Sequence, residues 1–176
     1  GFKRKELKGI AESRGGRRGP ENVWGSAGTG AIIAILIKLG IGSSDLLTIA
    51  FSSSFAAKLG DTFGSEIGKT WGTRTFLITT FKPVLAGTEG AVSREGTLAS
   101  LMGSTFMAVT LYFLGLVPNS QYILVVIISG FIATIFESFI GAIFQNRITY
   151  LTNEVVNFIQ TSFAAIFSII FSLLIT

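Results

Sequence analysis

The residues best suited to chemistry are concentrated between positions 58 and 95. This stretch holds nine of the fifteen charged residues that follow position 18, together with several Ser, Thr and Gly residues. The chain has no His and no Cys, which excludes Ser-His catalysis, Cys-His catalysis and Cys/His zinc sites. Carboxylates, lysines, hydroxyl groups and exposed amides remain, and these groups bind divalent cations and phosphates.

A polar stripe runs along the first part of this stretch. Its members follow one another at steps of three or four, which places them on one helix face: Ser54, Lys58, Asp61, Ser65 and Lys69. Asp61 is a candidate ligand for Mg²⁺, which favours one or two carboxylates together with phosphates and water. The structural alternative is a local pair of Asp61 with Lys58 or Ser65. Glu66 lies about 140° further round the helix than Asp61, so the two acids need not share a ligand.

Beside the polar stripe, small residues recur at every fourth position. They are Ser52, Ala56, Gly60, Gly64, Gly68 and Gly72. One helix face is therefore almost bare of side chains. Such a face indicates either close packing against another helix or a surface where a ligand approaches the backbone. The spacing leaves both interpretations open.

The second half of the stretch contains groups that suit a phosphate. Lys82 offers a point charge. Positions 87–90 read GTEG, and this turn would present the Thr88 hydroxyl, the Glu89 carboxylate and free amides around Gly90. An ordinary solvated loop would have a similar composition. Further along the chain, Glu137 belongs to one four-residue series, and Asn153 and Asn157 to another. We expect both series to face a bundle interior, as pocket groups or as interhelical hydrogen-bonding partners.

The elements that position these groups are predicted to be membrane-spanning helices. Charged residues make up 14% of the chain, against about a quarter in soluble domains. Positions 97–117 and 155–176 contain no charge, and 118–146 contain Glu137 alone. About 20 apolar residues span a bilayer. We therefore predict an all-α, polytopic transmembrane helix bundle with about five spans, at 24–42, 44–60, 97–117, 121–144 and 156–175.

The distribution of basic residues predicts an orientation. The first 18 residues carry seven basic and two acidic groups. With five spans, every loop Lys and Arg falls on the side of this segment, which would be cytoplasmic or stromal. We thus divide the chain into a basic arm, 1–23, and a transmembrane helical domain, 24–176, whose active-site loop is 58–95. We expect the arm to contact anionic membrane lipid rather than nucleic acid, and earlier helices to precede it.

Five segments together resemble a known family. They are SRGGRRGPENVWGS (13–26), SFAAKLGDTFGSEIGK (54–69), ITTFKPVLAGTEGAVSREGT (78–97), FESFIGAIFQN (136–146) and LTNEVVNF (151–158). Their order and spacing resemble the integral membrane family that includes the plant and cyanobacterial phytyl-phosphate kinases. The pattern is more distantly similar to polyprenol and dolichol kinases and to CDP-diacylglycerol synthases, which use CTP and Mg²⁺.

The resemblance implies a kinase of plastid or cyanobacterial membranes. It would transfer a phosphoryl group from CTP to phytyl monophosphate, an isoprenoid lipid phosphate, for tocopherol and phylloquinone synthesis. The implied catalytic residues are Asp61, Glu66 and Lys82, with Asp61 and Glu89 holding Mg²⁺. The implied nucleotide-binding residues are Lys58, Ser65, Lys69, Thr88, Glu89 and Gly90. The implied pocket residues are Glu137, Asn153 and Asn157.

Three other functions remain open at the level of sequence. A related prenol or polyprenol kinase, or a cytidylyltransferase, would use the same chemistry. A small membrane transporter subunit would also contain intramembrane polar residues and helices interrupted by Gly, but would more often hold the polar groups near the bilayer midplane. A structural membrane subunit would bind no nucleotide.

Overall fold

The computed structural model describes residues 2–7, 9–11, 19–145 and 147–175. Its elements in chain order are α1 (Phe2–Leu7), α2 (Pro20–Lys38), α3 (Ser44–Trp71), β1 (Thr75–Leu77), β2 (Ala91–Ser93), α4 (Arg94–Phe113), α5 (Gln121–Ile140), a π-helical turn (Gly141–Gln145) and α6 (Asn153–Ile175). Of the predicted basic arm, residues 1, 8 and 12–18 lie outside the described part.

The predicted transmembrane helix bundle is confirmed. Three of the described helices have the length and apolar composition needed to cross a bilayer: α4, α5 with its π-turn, and α6. Helices α2 and α3 occupy the two other predicted spans, and the number of spans is approximate. The prediction of a loop over 58–95 is wrong for its first part, because α3 continues to Trp71. At 1.5 Å per residue its 28 residues extend about 42 Å.

Helix α3 lies at the centre of the bundle and contacts α2, α4, α5 and α6. Its small-residue stripe packs against α4, as the close-packing interpretation predicts. A Cβ atom built on Gly103 would lie 2.8 Å from the Leu59 carbonyl oxygen and 3.1 Å from the Gly60 Cα. A Cβ atom on Gly96 would lie 2.9 Å from the Gly64 carbonyl oxygen. The two backbones are therefore too close for larger side chains along this contact.

The two ends of the bundle differ in character. At one end, an apolar core closes the space between the helices, with Ile49, Leu111, Val117 and Val125 buried among its members. These residues lie near the start of α3, the end of α4 and the start of α5. Between this core and the opposite end, α3, α5 and α6 contact one another through the buried Ala57, Ala133 and Ala164. Beyond these alanines the helices enclose a cavity instead of a core.

A short hairpin covers part of that opposite end. Strands β1 and β2 are antiparallel, with Thr75 paired to Ser93 and Leu77 to Ala91. The hairpin bends through Gly87 and Gly90, whose φ angles of 90° and 74° favour glycine. A Cβ atom on Gly90 would lie 2.6 Å from the Ala142 backbone nitrogen, so the turn rests directly on the π-helical turn after α5. The all-helical prediction did not include this small sheet.

The α3–α4 contact predicts a large effect of side-chain volume at position 103. Gly103→Leu would push the Leu59 carbonyl away, and we expect it to lower the free energy of unfolding by about 2 kcal/mol. Ala34→Leu, at an exposed position of α2, is the matched control and should change stability little. Thermal unfolding in detergent measures both variants. Equal midpoints for Gly103→Leu and the native protein would contradict the packing.

Candidate functional site

A cavity of about 730 Å³ opens at the end of the bundle that the apolar core does not close. The second half of α3, the first turns of α4, the second half of α5 and the hairpin segment 75–93 form its walls. The first residues of α2 and α6 complete it. The volume lies within the range of small-molecule sites, which is about 300–1,000 Å³. Polar groups of α3 and the hairpin line one part, and apolar side chains of α5 line another.

The polar wall is built around an ion pair on α3. Lys58 Nζ lies 2.7 Å from Asp61 Oδ2 and donates a second hydrogen bond, of 2.8 Å, to Asn157 Oδ1 on α6. The local pair that the sequence left open as an alternative is therefore present. Both side chains of the pair also line the cavity. The pairing lets a lysine and an aspartate lie at bundle depth without an uncompensated charge.

Asn157 supports this pair from below the cavity. It is 1% exposed and does not line the cavity itself. Its Oδ1 accepts from Lys58, because an ammonium group can only donate. Among the described residues its Nδ2 has no hydrogen-bond partner. Asn157 therefore orients a cavity lysine instead of forming part of the predicted pocket surface.

The hairpin turn faces the α3 wall. Gly87, Thr88, Glu89 and Gly90 all line the cavity, as the GTEG turn predicts. Burial raises the pKa of the Glu89 carboxyl group, while the nearby Lys69 lowers it and the nearby Asp61 raises it. Glu89 therefore experiences the charges of both α3 residues across the cavity. A cation bound between Glu89 and Asp61 would favour the ionised form of both carboxyl groups.

Acidic residues outnumber basic ones around the cavity. Two of its described lining residues are lysines, Lys58 and Lys69. Six are carboxylic acids: Glu21, Asp61, Glu66, Glu89, Glu137 and Glu154. This excess of acids disfavours an anionic ligand. Cations that neutralise part of the negative charge would therefore strengthen the binding of phosphates.

Divalent cations suit this lining. Within the described ranges there is no group of three or more acids arranged to hold a metal ion without other ligands. Magnesium, however, usually takes one or two protein carboxylates and completes its shell with phosphate oxygens and water. Asp61 and Glu89, the two carboxylates that the family resemblance assigns to Mg²⁺, both line the cavity and could act as these ligands. Such a site would bind the metal together with a phosphate ligand.

The structure brings ten of the twelve predicted site residues to the cavity. They are Lys58, Asp61, Ser65, Glu66, Lys69, Thr88, Glu89, Gly90, Glu137 and Asn153. Asn157 lies beneath them. Lys82 is exposed and is not among the lining residues, although its neighbour Phe81 is. The chain turns at Phe81, which has a φ of 54°, and this turn brings Phe81 to the cavity and leaves Lys82 outside its lining. The Lys82 backbone amide lies 3.4 Å from Thr80 Oγ1.

The sequence did not predict several lining residues of the hairpin segment and α4, nor two further groups on α2 and α5. Glu21 and Asn22 begin α2, and Asn22 Nδ2 donates a 3.2 Å hydrogen bond to Glu154 Oε1 at the start of α6. The second group is an apolar row on α5, Phe131, Ile135 and Phe139. The four-residue spacing of these apolar residues, close to Glu137 in the sequence, could have indicated a shared helix face. In an apolar span such spacing does not distinguish a cavity wall from a lipid-facing surface.

The buried hydrogen bond of Asn157 predicts a stability effect. Asn157→Leu removes the acceptor of a part-buried ammonium group, and we expect a loss of about 1–2 kcal/mol in the free energy of unfolding. Asn153→Ala changes an exposed asparagine one turn earlier on the same helix and should cost much less. Thermal midpoints of the two variants in detergent decide this. Equal losses would argue against the Lys58–Asn157 contact.

The family comparison and the curated relatives agree with one another. The family described as "Integral membrane protein DUF92" matches residues 1–165. An uncharacterized membrane protein of Synechocystis, sll0875, is 51% identical over 96% of this chain and 66% of its own length. "Protein VTE6, chloroplastic" of Arabidopsis thaliana is 46% identical over 94% of this chain and 51% of its own length.

A third relative, the uncharacterized membrane protein MJ0933 of Methanocaldococcus jannaschii, is 31% identical over 97% of this chain and 68% of its own length. No solved structure matches the chain. The chain thus spans between about half and two thirds of the length of these relatives. The predicted family resemblance is confirmed, and the chain belongs to the DUF92 family of integral membrane proteins.

Proposed function

We propose that this chain carries the active site of a CTP-dependent phytyl-phosphate kinase. The observation that carries the proposal is the cavity at one end of the bundle, where lysines, carboxylates, hydroxyl groups and a glycine turn meet an apolar wall. The 46% identity to "Protein VTE6, chloroplastic" supports a role in prenyl-lipid metabolism leading to tocopherol and phylloquinone. The cyanobacterial relative supports a plastid or cyanobacterial membrane as the location.

Phosphoryl transfer requires the protein to position the substrates and to neutralise their charge, and requires little covalent chemistry from the protein. An oxygen of phytyl phosphate attacks the γ-phosphorus of CTP. The bond to the β–γ bridging oxygen breaks, and CDP leaves with that electron pair. The acceptor is an ionised phosphate at neutral pH, so no strong general base is required. A chain without His or Cys is compatible with this chemistry.

The described residues divide this work between two walls. Lys58, held by Asp61 and Asn157, presents a fixed ammonium group. Lys69, about three turns further along the same face of α3, supplies a second. Across the cavity, the amides of Thr88 and Ala91 already donate to the carbonyl groups of Leu85 and Thr88. The Thr88 hydroxyl is therefore the proposed donor of this turn to phosphate oxygens. Mg²⁺ bound with the nucleotide would neutralise phosphate charge, and Asp61 and Glu89 are its proposed ligands.

The apolar wall suits the prenyl tail. Phe131, Ile135 and Phe139 are four residues apart and share one face of α5. From Phe139 to Phe131 this face extends about 12 Å towards the apolar end of the bundle. Gly96, Thr97 and Ser100 of α4 line the cavity opposite. A lipid phosphate could thus place its headgroup near Glu137 and Ser138 and its tail along α5.

The position of the charged groups favours a kinase over a transporter. Most of the cavity's polar lining lies at one end of the helices, where a kinase would meet a water-soluble nucleotide. A transporter would more often hold such groups at the bilayer midplane. The basic helix α1 lies at the same end, because Lys5 contacts Glu66. We therefore propose that the cavity opens to the cytoplasmic or stromal side. Related prenol kinases and cytidylyltransferases differ in substrate and are separated by assay.

The metal role of Asp61 is tested by Asp61→Asn in the full-length natural protein. We expect CTP- and Mg²⁺-dependent turnover of phytyl phosphate to fall at least about a hundredfold, because a metal ligand and the partner of Lys58 are both lost. Asp45→Asn is the matched control, since Asp45 is exposed at the opposite end of α3. It should retain native turnover. Full activity of Asp61→Asn would contradict the role.

The tail-binding wall is tested by Phe131→Ala. We expect kcat/KM for phytyl phosphate to fall about tenfold, because apolar contact along α5 is lost, while the KM for CTP stays unchanged. Phe106→Ala serves as the control, because Phe106 is 64% exposed on α4 and does not line the cavity. A Phe131→Ala effect on CTP alone would argue against a tail site.

A further inference from the structure

The amino-terminal helix α1 packs against the end of α3 through a buried lysine. Lys5 is 3% exposed, although it belongs to a short helix whose other residues are exposed. Its Nζ lies 2.7 Å from Glu66 Oε1. The Arg4 guanidinium lies 4.0 Å from the centre of the Trp71 ring, a cation–π contact on the last residue of α3. Two consecutive basic residues thus attach this segment to the α3 wall.

The same segment also touches the opposite wall. Ile10 approaches the hairpin turn, and its Cγ2 would lie 3.2 Å from a Cβ atom on Gly87. Glu66 and Gly87 both line the cavity, one on α3 and one in the turn. Residues 2–7 and 9–11 therefore reach from one side of the cavity to the other at its open end.

Glu66 is one of the six acids of a cavity that contains two lysines. Its side chain is 39% exposed, whereas that of Lys5 is 4% exposed. Lys5 therefore stands behind Glu66 and compensates its charge without entering the cavity. Without Lys5, an anionic ligand would meet one more uncompensated carboxylate.

We propose that Lys5 is a positioning residue of the phosphate site, which it completes from the amino-terminal segment. It holds the Glu66 side chain in place and compensates the negative charge that this carboxylate would otherwise present to the bound phosphates. The proposal rests on the proposed function only in taking the ligand to be a phosphate-bearing anion. It assigns a site role to a segment that sequence reasoning interpreted as a lipid-contacting arm.

The test is a charge-restoration cycle in the full-length protein, measured as the Kd of Mg²⁺·CTP. Lys5→Met should weaken binding roughly fivefold, because one negative charge near the phosphates becomes uncompensated. Adding Glu66→Gln to Lys5→Met should restore the Kd to within about twofold of the native value. Lys5→Arg should keep native affinity. Lys3→Met, an exposed lysine on the same helix, should have no effect.

A purely structural lysine would give a different pattern. If the Lys5→Met/Glu66→Gln protein binds as weakly as Lys5→Met, or more weakly, the proposal is overturned. Mg²⁺·pyrophosphate is measured in parallel on the same variants. If the native protein binds pyrophosphate but not CTP, the proposed kinase function fails while the cycle still decides the role of Lys5. If it binds neither, the role of Lys5 in a phosphate site is overturned as well.

Discussion

The Lys58–Asp61 ion pair, with its third partner Asn157, is the interaction on which the site depends. Unpaired charges are costly at bundle depth. Lys58 and Asp61 compensate each other within α3, and Asn157 of α6 accepts a second hydrogen bond from Lys58. On another face, α3 packs closely against α4, where Gly60 meets Gly103 and Gly64 meets Gly96. The apolar core at the opposite end fixes the helices, and the polar groups therefore gather around one cavity.

The sequence predicted the bundle well, because a 20-residue run without charge has few structural solutions. The small-residue stripe also predicted a helix as far as Gly72, and the structure continues α3 to Trp71. The loop predicted over 58–95 was wrong for its first part, because charged residues do not end a helix by themselves. The β1–β2 hairpin could not be foreseen, since its three-residue strands are stabilised by a turn that packs on the π-helical turn after α5.

Sequence spacing predicted the site residues correctly where they share one helix, and less well where they come from loops. Lys58, Asp61, Ser65 and Lys69 reach the cavity because their spacing keeps them on one face of α3. Lys82 is outside the lining because the turn at Phe81 brings Phe81 to the cavity and not its neighbour. Glu21 and Lys5 were overlooked for a related reason. They approach the site through tertiary packing of the amino-terminal segments, for which local spacing contains no signal.

We propose that the protein transfers the γ-phosphoryl group of CTP to an isoprenoid phosphate bound in this cavity. A direct test follows label from [γ-³²P]CTP with the purified full-length protein and Mg²⁺, with phytol, phytyl phosphate and phosphatidic acid as parallel acceptors. We expect labelled phytyl diphosphate from phytyl phosphate and no labelled lipid from the other two acceptors. Labelled phytyl monophosphate from phytol, or no labelled lipid from any acceptor, would contradict it.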